Sequence, residues 1–279
     1  MSGPREPEPV LTAHLFPELL QSLLESLSAL SPDGWAKPVP RKSWTVNDVA
    51  LHLVGGDVGL LARERDGFVI SSTAVGSGQE LVEALKTLND TWIAAGRRIS
   101  PRLLHDLLRF TGRQVSDYVR SLDPHALGGA VSWAGPDPAP NWLCIGQEFT
   151  ERWHHQQHIR AALGSAGLDA ARYLRPALDI FLRALPHTYR AVEAPEGTSV
   201  GVSIAGDSGG EWLLVREQRT WKLYTGRASR PAAEVVIPQQ AAWKLFTRWL
   251  LKEEAMLDSE VRGDPVLASR VFETVAVIA

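Results

Sequence analysis

Residues 151–160 read Glu-Arg-Trp-His-His-Gln-Gln-His-Ile-Arg and place one carboxylate and three imidazoles within about three helical turns. Glu151 and His155 are four apart, so a helix projects them from one face. A carboxylate and an imidazole at that spacing can bind one divalent ion. A second stretch, residues 44–53, reads Trp-Thr-Val-Asn-Asp-Val-Ala-Leu-His-Leu. Its single imidazole, His52, stands among apolar neighbours late in a helix beginning near Thr45, and is the candidate third ligand. Two histidines and one glutamate with an open fourth position is a common way to hold catalytic zinc.

Other polar residues extend this face. At about 100° per residue, His158 lies roughly 60° from His155 and 20° from Glu151 around the helix axis. It is a candidate base, acting beside the ion, or a fourth ligand. Gln147, four before Glu151, is a candidate cosubstrate contact. Asp57 follows Gly55-Gly56 and either binds a polar cosubstrate or caps a helix break. Asp48, one turn before His52, either orients that imidazole or favours the helix N-terminus. His154 falls one residue off the stripe and is not assigned to the ion. Arg63, Arg65 and Arg160 could hold an anionic substrate, and Cys144 reads as a buried, inert thiol.

The elements that must position these residues are helical at first. Apolar periodicity predicts helices over 11–30, 45–66, 79–96 and 103–122, a long loop over 123–140, and helices over 142–163 and 170–184. Thr45 and Asp48 form an N-terminal capping pattern. After about residue 195 the pattern alternates, predicting strands over 198–204, 211–215, 221–224 and 233–238. Helices follow over 239–251 and 265–279. The expected organisation is a disordered tail over 1–9, a metal-binding helical domain over 10–192 and an α+β domain over 193–279.

Composition narrows the function classes. The 279 residues are 44% hydrophobic and 22% charged, which suits a soluble globular chain with ample core. A net charge of −3 gives no electrostatic case for nucleic acid. No apolar run approaches a membrane span, and the polar, Pro-rich start does not read as a signal peptide, so a cytoplasmic protein is expected. One cysteine excludes an intrachain disulfide and a Cys-rich zinc site. Motifs for a phosphate-binding loop, a Gly-x-Ser-x-Gly elbow and His-Glu-x-x-His are absent.

The segment from Trp44 through His52 to Asp57 resembles the motif Trp-Thr-Val-x-Asp-x-x-x-His-Leu-x-Gly-x-Asp of the mycothiol-dependent maleylpyruvate isomerase family, within the DinB-like superfamily. Residues 151–160 are similar to its Glu-x-Trp-x-His-x-Gln-Asp-Ile-Arg. Residues 232–277 are similar to its small sterol-carrier-like C-terminal domain. The resemblance implies a DinB-like four-helix bundle followed by that α+β domain. It implies zinc held by His52, Glu151 and His155, and mycothiol or another small thiol as cosubstrate in isomerisation or sulfur transfer on a small electrophile. His158 departs from the pattern by standing where the family usually has Asp. A metal-dependent hydrolase and a non-catalytic metal- or ligand-binding protein are the alternative functions.

Overall fold

A computed structural model describes residues 4–68 and 78–276. Along the chain lie α1 (Phe16–Ser28), α2 (Pro32–Trp35), α3 (Val46–Leu60), α4 (Gly78–Gly96), α5 (Pro101–Ser121), β1 (Leu127–Ala130), β2 (Pro138–Pro140) and α6 (Asn141–Leu163). Then come α7 (Ala171–Leu182), α8 (Leu185–Thr188), β3 (Ser199–Ala205), β4 (Gly210–Glu217), β5 (Thr220–Thr225) and β6 (Ala233–Pro238). The chain closes with α9 (Gln239–Phe246), α10 (Lys252–Leu257), β7 (Glu260–Gly263) and α11 (Pro265–Val271). The fold is thus a helical N-terminal region with a sheet domain after it. None of the described helices is long and apolar enough to cross a membrane.

Two compact units emerge from the contacts. One comprises Thr12–Asp123 and Glu151–Leu168, and its apolar core gathers Leu23 and Leu27 of α1, Val49 and Leu53 of α3, Ile93 of α4, Leu104 and Leu108 of α5, and Ile159 of α6. The other takes residues 4–11, Pro124–Thr150 and residues 169–276. This division differs from the expected boundary near residue 192. Helix α7 packs on α9 and α8 on β5, so both group with the sheet. A change from helical to alternating periodicity does not reveal where a helix buries its face.

In the helical unit, α3 starts where Thr45 Oγ1 accepts from the Asp48 backbone N–H and the Asp48 carboxylate accepts from that of Thr45. The same carboxylate receives Arg97 from the turn after α4, at 2.9 and 3.1 Å. Asp48 therefore holds a helix end, rather than the His52 ring. Helix α4 approaches α3 closely. Trp92 Nε1 donates to the Leu51 carbonyl at 2.7 Å, and a Cβ on Gly55 would stand 2.7 Å from that indole, so glycine is required there.

In the sheet unit the strand order is β5-β4-β3-β6-β7, with β3 and β6 parallel and the other pairs antiparallel. The four predicted strands are all present, and the fifth, β7, went unrecognised because its four residues are all exposed. The loop expected over 123–140 contains the short β1–β2 pair. The helix expected over 239–251 breaks after Phe246, where Arg248 has φ 59°, and α10 follows. The last helix ends at Val271 instead of reaching residue 279, and 277–279 lie outside the described residues. Of the tail expected to be disordered over 1–9, residues 1–3 lie outside the described residues, while Arg5 exchanges backbone hydrogen bonds with Thr225 and the Pro7 and Glu8 carbonyls accept from Arg183.

Asp57 ties the helical unit together. It accepts Arg152 Nη2 at 2.6 Å and Thr111 Oγ1 at 2.7 Å, joining α3, α5 and α6, with the Asp57 and Arg152 side chains only 5% and 14% exposed. Breaking a buried pair by removing one partner strands the other charge. Asp57→Ala should therefore cost about 3–5 kcal/mol in urea unfolding. A loss below about 1 kcal/mol would match a surface pair and contradict this role.

Candidate metal centre

Helix α6 carries no single apolar stripe. Residues 153–159 are all buried, and five of them are polar: His154, His155, Gln156, Gln157 and His158. Buried polar groups require partners, so these side chains determine how the helix is turned. Trp153 Nε1 donates to the Leu168 carbonyl, and Gln157 Oε1 accepts from the Leu168 N–H, both at 2.9 Å. Gln156 Nε2 donates to the Leu19 carbonyl of α1 at 2.8 Å. Arg160 reaches Ser22 at 2.7 Å and the Ala166 carbonyl at 3.0 Å. Arg160 thus anchors the helix and is not directed to a substrate.

With α6 so oriented, Glu151 and His155 meet His52 of α3. Glu151 Oε1 lies 3.0 Å from His52 Nε2 and 2.9 Å from His155 Nε2. One oxygen accepts from both rings, which places a proton on each Nε2 and leaves each Nδ1 buried without a hydrogen-bond partner among the described residues. Donor atoms of all three residues lie within 4.8 Å of one another, so the group could hold a metal ion. Two ligands at about 2.0–2.1 Å from zinc in tetrahedral array stand about 3.4 Å apart, a small separation from the distances here.

Trp44 forms one wall. Its ring centroid is 5.1 Å from that of His52 and 6.2 Å from that of His155. A tight turn presents it: the Val39 N–H bonds the Trp44 carbonyl at 2.9 Å, and Arg41 at the bend has φ 63°. The same turn places Lys42 Nζ 4.5 Å from the Trp44 ring centroid. Sequence reading passed over Lys42, because nothing in a loop's spacing says which way it points.

Electrostatics keep the imidazoles neutral. Burial pushes His155 down to about 4, against the upward pull of Glu151. Burial also lowers His154 and His158, and repulsion from His155 adds to it in both. For Glu151, burial pushes upward, but attraction and hydrogen bonds from His155 and His52 prevail and hold the carboxyl well below its ordinary range. Lys42 is lowered by burial, with Glu151 opposing. An ionised Glu151 beside a neutral His155 is the protonation state a divalent ion needs.

Of the remaining sequence candidates, His158 is brought to this cluster, with its ring centroid 5.7 Å from that of His155. Asp57 is committed to Arg152 and Thr111, which answers to neither expected role. Gln147 lies half-buried one turn before Glu151 on α6, among residues grouped with the sheet unit. Arg63 and Arg65 are exposed and pair with Glu64 and Asp66. Cys144 Sγ packs 3.4 Å from the Gly129 carbonyl.

A family model described as the mycothiol maleylpyruvate isomerase N-terminal domain matches residues 16–160. The chain belongs to this family. Two solved structures are similar to it: a mycothiol-dependent maleylpyruvate isomerase in a His-to-Ala mutant form, with TM-score 0.51, and the mycothiol-dependent maleylpyruvate isomerase itself, with TM-score 0.50. Each is 12% identical, over 85% of this chain and 88% of the other. At that identity the isomerase structures establish the fold. No curated protein sequence matches the chain.

The metal-free protein should lose stability in acid. Above pH 6.5, the ordinary histidine value, His155 is neutral folded or unfolded. As pH falls from there toward about 4, the unfolded chain takes the proton first, so stability drops. His154 and His158 act in the same direction, and Glu151 continues the loss below 4.5. The melting temperature, measured in chelator, should fall continuously over that window. A flat profile would contradict buried neutral imidazoles.

Proposed function

We propose that the protein is a metal-dependent enzyme that uses a low-molecular-weight thiol of the mycothiol kind on a small electrophile, by isomerisation or sulfur transfer. The observation that carries this reading is the single Glu151 oxygen shared by His52 and His155 at 3.0 and 2.9 Å. In this reading those three residues hold the ion, most suitably zinc. A bound ion of this kind lowers the pKa of a thiol and so supplies a nucleophile at neutral pH.

The chain's own residues do the rest. His155, held low by burial, gives up no stabilising charge when it turns from Glu151 to an ion. Lys42 puts a cation beside the site, suited to an anionic substrate or a developing thiolate. Its ammonium is compact and stands 4.5 Å from the Trp44 ring centroid, within cation–π range. Trp44 covers the two imidazoles and limits water access. For His158, expected as a base, we favour a neutral supporting role, because burial holds it too low to accept a proton near pH 7.

The test is isomerisation of maleylpyruvate by chelated and zinc-reloaded protein, with and without mycothiol. Turnover is expected only with metal and thiol together. Isomerisation with metal but no thiol would contradict the thiol's part in the reaction. Glu151→Gln should weaken zinc binding by more than the roughly 10–100-fold lost when an outer partner of a ligand is removed. Lys42→Met should spare zinc and raise KM for the anionic reactant; an unchanged KM removes Lys42 from the account.

A further inference from the structure

His154 has no place in the site described so far, and its surroundings do not suit an idle histidine. It is 1% exposed, and neither ring nitrogen has a hydrogen-bond partner among the described residues. A neutral imidazole carries one donor and one acceptor, and burying both unsatisfied is costly. Such a group in a folded core calls for an explanation, and capacity to ligate an ion is one.

Its neighbours point to that explanation. His154 and His158 are four apart on α6, the spacing that puts two imidazoles on one ion. Their ring centroids lie 4.5 Å apart, and His154 lies 4.7 Å from His155. Donor atoms of His154, His155 and His158 all lie within 4.8 Å of one another, and all three side chains are buried. Helix α6 therefore carries two interleaved pairs at one-turn spacing, Glu151 with His155 and His154 with His158.

We infer that His154, His155 and His158 form a second station for a transition-metal ion, adjoining the first and sharing His155 with it. This inference does not rest on the thiol chemistry. The donors are three neutral imidazoles, which suit copper, nickel, cobalt or zinc and disfavour magnesium and calcium. A neutral imidazole ligates one ion at a time, so the two stations hold one ion between them. The first station, with its carboxylate, balances more of a divalent charge. The second receives the ion when the first is disabled.

The experiment titrates chelated protein with Co2+, reading the ligand-field spectrum and the cobalt retained per chain. The native protein should retain one. His52→Ala/Glu151→Gln should also retain one, with an altered spectrum, and adding His154→Ala/His158→Ala to it should abolish binding. If the first double variant folds by circular dichroism but retains no cobalt, the inference is overturned. His52→Gln/Glu151→Gln repeats the test with less loss of volume, should the alanine variant fail to fold. Two cobalt ions in the native protein would overturn the sharing of His155. His154→Ala/His158→Ala alone should keep its ion; loss there would count against the His52–Glu151–His155 centre instead. Finally, His154→Leu should raise the melting temperature in chelator, since it removes an unsatisfied buried group. A lower melting temperature would mean the ring has a partner and would overturn the inference.

Discussion

Oε1 of Glu151 receives an imidazole from its own helix and another from α3, and the candidate centre depends on that one atom. The carboxylate side chain is 27% exposed while both rings are buried, so the carboxylate sits at the edge of the site and the imidazoles sit inside. The arrangement depends on how α6 is turned. Trp153 and Gln157 clamp the helix to Leu168, Gln156 to Leu19, and Arg152 to Asp57. Each of these bonds satisfies a buried polar group.

This explains why so polar a segment lies in the middle of a helical unit. A helix buried all round is ordinarily apolar. Here Gln156 and Gln157 of α6 each meet a backbone group and His155 meets Glu151. His154 is the exception, and the exception falls beside the candidate centre, as expected when local rules are broken for function.

Much of the site was legible before the fold. Spacing alone brought Glu151 and His155 to one face, and His52 stood out as an imidazole among apolar neighbours. The cap at Thr45 and Asp48 was legible because capping is local chemistry. The partners of Asp57 and Arg160 were not legible, because a charged residue's partner can be distant in sequence: Asp57 finds Arg152 and Thr111, and Arg160 finds Ser22. Lys42 was missed because its direction depends on a tight turn at Arg41. His154 was set aside as off the stripe, although its spacing to His158 equals that of Glu151 to His155. In the sheet unit, alternation located the four longer strands, whereas β7 and the break after Phe246 follow from pairing and backbone geometry that periodicity does not register.

The central claim is that His52, Glu151 and His155 converge on one ion, and X-ray absorption at the zinc edge tests it most directly. Protein loaded with one zinc per chain, without added thiol, should give a nitrogen and oxygen shell at about 2.0–2.2 Å with outer scattering from two imidazoles. Three imidazoles would place the ion at the other station, and a shell without imidazole scattering, or with sulfur at about 2.3 Å, would remove it from these residues altogether. Either result would contradict the account.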